Sequence, residues 1–304
     1  FLLCFLLGSS FSTFAQGRDR EIKISRQQES PVKTVKVRGK GKIKNVVFMI
    51  GDGMSLAHMY STWAANKGKL NLENCQTVGL AKTYCYDRLI TDSGAAGTAL
   101  ATGHKTRYHA VGVDPEGKPL LTLTDLAAAK SKSTGVVVND ATPAAFCAHN
   151  SDRDQAEALI ADYAGCGVDF IFGGGKRYFC ERKDGRNILE EMKALGYQTP
   201  ENQEQLDAIQ TGKVLAVWAD HDLPRPSVRK EMLTESTMKA LELLSQNKKG
   251  FFLMVEASQI DDYGHANQLD PLVEEILDFD RTIGKVFEWA AADGETLVVV
   301  TADH

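Results

Sequence analysis

Apolar residues along this chain fall into two rhythms. Short continuous runs rich in β-branched and aromatic residues occur at Val46–Ile50, Gly135–Val138, Phe170–Phe172, Val214–Val217, Phe251–Val255 and Leu297–Thr301. Runs of this length and kind predict strands covered on both faces. Between them, apolar positions recur at helical spacing over Leu123–Lys130, Gln155–Ala164, Ile188–Leu195, Leu233–Leu244 and Leu272–Ala292. Buried strands alternating with amphipathic helices predict an α/β fold, a doubly wound and mostly parallel central sheet flanked by helices. Gly173-Gly174-Gly175 reads as a turn after a strand rather than a phosphate loop, because no Lys-Ser/Thr pair follows it.

The N-terminal part stands outside this rhythm. Phe1–Leu7 is an apolar run too short to span a bilayer. Thr13-Phe14-Ala15 behind it fits the small-x-small pattern before a signal-peptidase cut, so residues 1–15 predict an export signal. With no initiator Met and no basic n-region, the chain is expected to lack its true N-terminus. Residues 16–44 are polar and poorly patterned and predict a leader, with Lys33 to Lys44 as a solvated linker. Residues 45–304 hold the patterned domain.

Composition narrows the function classes. The 304 residues are 43% hydrophobic and 25% charged, ordinary for a globular chain. A net charge of −5 gives nucleic-acid binding no electrostatic support, and no run is long enough for a membrane span. Export would permit disulfides. Beyond the signal stand Cys75, Cys85, Cys147, Cys166 and Cys180, an odd set in which Cys166 with Cys180 is suggested by proximity alone. No CxxC pair occurs, so a thiolate zinc site is not expected.

The chemistry gathers just past the strands. Asp52 follows the first strand between Gly51 and Gly53. Thr91-Asp92-Ser93 opens a stretch in which Ser93 would begin a helix, where free N–H groups and the dipole favour a phosphate dianion. In Asp140-Ala141-Thr142-Pro143, Pro143 would sit in a first helical turn with Thr142 as its cap. Ser151-Asp152-Arg153-Asp154 resembles a capping box, which would leave Arg153 as a cation in a first turn, disfavoured by the dipole. Its fork suits two oxygens of a phosphate, although pairing with Asp152 or Asp154 would explain it equally well. Glu256 closes another strand and precedes Asp261 and His265, whose spacing can present both groups to one ion; Gly264 favours a loop there. Asp303-His304 ends the last strand. Each feature alone also reads as a turn Asp or a cap Ser. Together they predict a metal site containing a serine, since acidic groups gathered at strand ends need a cation among them.

In sequence and order these motifs resemble the alkaline phosphatases, from about Asn45 to His304. The resemblance implies hydrolysis of small phosphate monoesters to alcohol and inorganic phosphate, with Ser93 as the nucleophile that becomes phosphorylated and Arg153 holding the phosphate. It implies two Zn²⁺ and one Mg²⁺. Asp261 and His265 would bind the first zinc; Asp52, Asp303 and His304 the second, joined by Ser93; Asp52, Thr142 and Glu256 the magnesium, with Asp140 in its outer sphere. The implied location is periplasmic or secreted, and a homodimer is left open. Two departures stand out. Asp262 occupies the place of a Lys or His in well-known relatives. Family members also continue further and supply another His to the first zinc, so the domain is expected to be truncated, unless His149 or His221 completes the site. A phosphodiesterase or sulfoester hydrolase of the same superfamily, or an exported phosphate binder without catalysis, are the alternatives.

Overall fold

A computed structural model describes residues 30–36, 39, 41–138 and 144–304. All six predicted strands form: β1 (Asn45–Gly51), β2 (Ser133–Val137), β3 (Phe170–Gly173), β5 (Lys213–Val217), β6 (Phe251–Ala257) and β7 (Thr296–Ala302). The pattern does not foresee β4 (Tyr197–Gln198), a two-residue edge. Strand order is β4-β5-β3-β2-β6-β1-β7, with every pair parallel. The carboxyl ends of all seven strands therefore share one edge, where ligands bind in open α/β sheets.

The helices are α1 (Leu56–Ala65), α2 (Ser93–Thr102), α3 (Leu123–Ala128), α4 (Ala144–Cys147), α5 (Ala156–Cys166), α6 (Lys176–Cys180), α7 (Ile188–Ala194), α8 (Gln203–Ala208), α9 (Pro226–Arg229), α10 (Met232–Leu244), α11 (Gln259–His265) and α12 (Leu269–Asp293). Strand parity sorts the core into two layers. Val47, Met49, Val137, Phe172, Leu253 and Val255 face Leu241 and Leu244 of α10 and Ile276, Phe279 and Ile283 of α12. The alternate residues Val136, Ile171, Leu215, Phe252 and Met254 face Phe146 of α4 and Leu159 and Tyr163 of α5. Burying each such side chain contributes about 1.5–3 kcal/mol. At Gly135 a Cβ would lie 2.6 Å from Leu244 Cδ1 and 2.9 Å from Leu253 Cδ1, so glycine lets α10 sit down on β2.

Several expectations need correction. β7 is not covered on both faces: among the described residues it pairs only with β1, and Leu297 is 47% exposed. The segment after β6 is a helix, α11, rather than a loop. Helix α5 starts at Ala156 with Gln155 as its cap and no side-chain cap bond, so Ser151–Asp154 precede it as a turn. The signal and most of the leader lie outside the described residues. Within the leader, residues 30–35 are not a free linker. Backbone N–H groups of Ser30, Lys33 and Val35 donate to the side chains of Asn66, Asn71 and Asn74, respectively. Among the described residues no helix is long and apolar enough to cross a membrane.

Candidate active site

Three adjacent strands deliver three carboxylates. In register, Ile50 of β1 stands beside Glu256 of β6, and Gly51 beside Ala302 of β7, so Asp52 and Asp303 leave neighbouring strand ends. Glu256 is fully buried, and Asp52 and Asp303 are each 4% exposed. The backbone turns sharply at Gly53 (φ +57°), where a Cβ would lie 2.4 Å from Asp261 Oδ1. The glycine thus makes room for Asp261 itself. Helix α11 carries Asp261 and His265 on one face, and His265 Nε2 lies 3.1 Å from Asp261 Oδ2 across one turn.

His304 reaches back over this cluster. Its Nε2 stands 3.1 Å from Asp52 Oδ1 and 3.9 Å from Asp261 Oδ1. The ligand atoms of Asp52, Asp261 and His304 all lie within 4.8 Å of one another. Ser93 Oγ donates to Asp52 Oδ1 at 3.2 Å and lies 3.4 Å from His304 Nε2. A serine hydroxyl therefore stands inside an acidic, imidazole-bearing cluster.

Electrostatics mark the cluster as short of positive charge. Burial and then the Asp52 charge push the Asp303 carboxyl up to about 8. Asp261 is raised by burial and by Asp52. Burial opposes the His304 imidazolium, but the Asp52 hydrogen bond and the surrounding carboxylates raise it to about 9. Asp303 Oδ1 accepts from Gly53 N and His304 N, whereas its buried Oδ2 has no hydrogen-bond partner among the described residues. A buried carboxylate oxygen aimed at other carboxylates and an imidazole fits a divalent cation, whose hard oxygen and nitrogen donors these are.

Ser93 is the first residue of α2, as the pattern predicts, but its cap is Asp92. The Asp92 carboxylate accepts from Gly94 N and Ala95 N, so these helix N–H groups are already engaged. This corrects the expectation that they would hold a phosphate. Arg153 Nη1 donates to Asp92 Oδ2 at 2.9 Å. The Arg153 backbone N–H donates to His109 O at 2.7 Å, pinning its turn beside α2. Burial alone would raise Asp92, but the His109 N–H and Arg153 hold it below the usual carboxylate range. The sequence reading missed Asp92 as a site residue, although Asp directly before a helix is among the strongest cap signals.

The remaining site residues divide cleanly. Thr142 and Asp140 lie outside the described residues. His149 and His221 are engaged elsewhere: His149 Nε2 with Leu120 O at 3.0 Å, and His221 Nε2 with Arg177 Nη1 at 3.1 Å. Neither completes the cluster. Asp262 is raised by burial and by Asp222, Asp261 and Asp52, so its carboxyl feels the negative charge already gathered there.

Fold and site together define a class: a doubly wound α/β protein whose helix-opening serine sits in an acidic cluster at the carboxyl edge of the sheet. The chain belongs to the alkaline phosphatase family, whose model matches residues 43–304. It is 38% identical to alkaline phosphatase 4 of Bacillus subtilis over 299 residues, which cover 91% of this chain and 64% of that protein. The chain thus spans less than two thirds of that relative's length. The solved alkaline phosphatase of the Antarctic bacterium TAB5 superposes with a TM-score of 0.84 at 35% identity, covering 87% of this chain and 80% of that one. A variant of the TAB5 enzyme solved with Mg bound in its M3 site gives 0.82 at 34% identity, covering 88% and 79%.

Proposed function

We propose that this chain forms the active site of an exported, metal-dependent hydrolase of phosphate monoesters that works through a phosphoserine on Ser93. The observation that carries this reading is the placement of Ser93 Oγ, 3.2 Å from Asp52 and 3.4 Å from His304 Nε2, at the start of a helix beside Arg153. Asp261 and His265 would hold one zinc. Asp52, Asp303 and His304 would hold a second, with Ser93. Asp52, Glu256 and Thr142 would hold magnesium, with Asp140 in its outer sphere. When bound, these ions would supply Lewis-acid stabilisation of the serine alkoxide and of the departing alcohol.

The chain's own residues account for the rest. The Ser93 hydroxyl loses its proton to solvent and its oxygen attacks phosphorus; the P–O bond to the alcohol breaks, the departing oxygen takes a proton from water, and Ser93 carries the phosphoryl group. Water then attacks the phosphoserine, returning the serine and releasing inorganic phosphate. Arg153, held by Asp92 beside α2, offers its planar fork to the non-bridging oxygens, which gain charge at the transition state. Asp303 and His304 rise from β7 against Asp52 and fix the floor on which Ser93 rests. The substrate would be a small dianionic monoester.

Comparing monoester and diester substrates on metal-loaded protein tests the reading. The proposal expects kcat/KM for the monoester to exceed that for the diester by several orders of magnitude; equal values would favour a phosphodiesterase.

A further inference from the structure

A cavity of about 420 Å³ opens at the carboxyl edge of the sheet, between the ends of β3 and β5 and the helices α5 and α6. Its floor includes Ile171 and Val217, and Leu159 and Ile160 of α5 form a wall, all within the apolar layer around Phe146. Its rim is the Gly173-Gly174-Gly175 turn, which the sequence sets apart from a phosphate loop. That turn is closed on the segment after β5: Gly175 N donates to His221 O at 2.7 Å and Lys176 N to Ala219 O at 2.8 Å. A Cβ at Gly174 would collide with His221 O, so glycine is what lets the two segments meet. His221 is tied in turn to Arg177, Nε2 to Nη1 at 3.1 Å. Hydrogen bonds thus fix the rim, and the cavity is preformed and of the size that small ligands fill.

Charge decides what such a ligand can be. Among the described lining residues Arg153 is the only lysine or arginine, and Asp154 and Asp222 stand in the lining as well. An anion is favoured only where the Arg153 guanidinium offsets those carboxylates, and the rest of the occupant must be uncharged and apolar to match the floor. Arg153 also joins this cavity to Ser93, because Asp92, its partner at 2.9 Å, caps the helix that Ser93 opens. We propose that the cavity binds the apolar body of a compact aryl anion, a ring close to a phosphate or phosphonate head that meets Arg153. The ring rests on Ile171 and Val217 against Leu159 and Ile160.

This inference deepens the reading of Arg153 as a phosphate contact and rests on it. Two sources share the chemistry: the alcohol half of the monoester that is hydrolysed, and a separate aryl anion that occupies the site without reacting. In either case the preference for a ring comes from this cavity, not from Ser93 or the carboxylate cluster. Burying the ring should tighten binding by roughly 10- to 100-fold over a methyl group, the scale of several buried carbon groups.

The test is calorimetric titration of metal-loaded protein with methylphosphonate and benzylphosphonate, beside kcat/KM for methyl phosphate and benzyl phosphate, whose alcohols are of similar acidity. Benzylphosphonate should bind more tightly by the factor just given. A matching gain in kcat/KM for benzyl phosphate assigns the cavity to the substrate's alcohol; a gain in binding alone assigns it to a separate aryl anion. Ala156, half-buried in the lining at the start of α5, gives the decisive variant. Ala156→Phe should fill the cavity, bring the two phosphonates within about threefold of each other and leave binding of inorganic phosphate unchanged. Should that variant fail to fold, Ile160→Ala should enlarge the cavity and favour naphthylmethylphosphonate over benzylphosphonate more than the wild type does. Equal affinities in the wild type, or a preference that neither variant alters, would overturn the proposal. A ring preference in binding with no turnover of either ester keeps the cavity and removes the Ser93 chemistry instead.

Discussion

Arg153 donates through Nη1 to Oδ2 of Asp92 at 2.9 Å, and Asp92 is the residue that caps the helix opened by Ser93. One carboxylate therefore sets the helix start and orients the cation beside it. Asp92→Ala should cost about 1–2 kcal/mol of stability from the lost cap, whereas Asp92→Asn should keep most of it. Urea unfolding of the two variants checks this. Equal losses would mean that the ion pair, not the cap, is what Asp92 contributes.

Arg153→Ala should weaken inhibition by inorganic phosphate by roughly 10- to 100-fold, the scale of a charge-assisted hydrogen bond. It should lower kcat/KM more than kcat, because the contact exists in ground and transition states alike. A phosphate inhibition constant equal to that of wild type would leave Arg153 as a structural partner of Asp92 and nothing more.

The protons on Asp303 and His304 give the metal-free chain a definite pH response. Both folded-state values are raised, to about 8 and about 9, above those of the unfolded chain. The folded state therefore holds protons that the unfolded chain has released. Its stability should fall as pH rises from the unfolded values through about 8 and about 9. A bound cation must displace the same protons, so zinc affinity should rise over this range, with ~2 protons released per cluster at neutral pH. Thermal unfolding in chelator across pH checks the first effect, and calorimetric titration in buffers of different ionisation enthalpy the second. A flat pH profile together with no proton release would remove the cluster as a metal site.

A buried ion network offers a prediction away from the site. Arg229 Nη2 lies 2.6 Å from Glu275 and 2.7 Å from Asp278, with all three side chains fully buried, and Nη1 donates to Gln259 at the start of α11. Arg229→Met would leave two buried carboxylates and should cost about 3–5 kcal/mol at pH 8. Burial already lifts Glu275 to about 7, so the loss should shrink toward pH 5, where the carboxyl is neutral. A loss independent of pH would show packing, not charge, to be the cause.

The legible and illegible parts of this fold divide on physical grounds. Six strands were readable because each is a continuous apolar run, and the strand ends named Asp52, Glu256, Asp303 and His304. Strand β4 is two residues long and leaves no periodic signal. The loop expectation for Asp261–His265 rested on Gly264. The helix tolerates that glycine because His58 packs where its side chain would be, with Cε1 3.1 Å from the would-be Cβ. Arg153 was placed in a helix because Ser151–Asp154 mimic a capping box. Instead, Asp152 uses its carboxylate on Asp154 N and on Gln155 Nε2, which closes a turn. The Asp92–Arg153 pair spans 61 residues, a separation that no local pattern announces.

The most direct measurement is a phosphate-ester quench. Metal-loaded protein is mixed with a phosphate monoester and stopped in acid within one turnover, and its peptides are mapped by mass spectrometry. The account predicts one phosphorylated peptide, modified at Ser93, and a Ser93→Ala variant that loses both the adduct and activity, by roughly a thousandfold or more. Turnover of Ser93→Ala within a few-fold of wild type, with no phosphoserine in either protein, would contradict it.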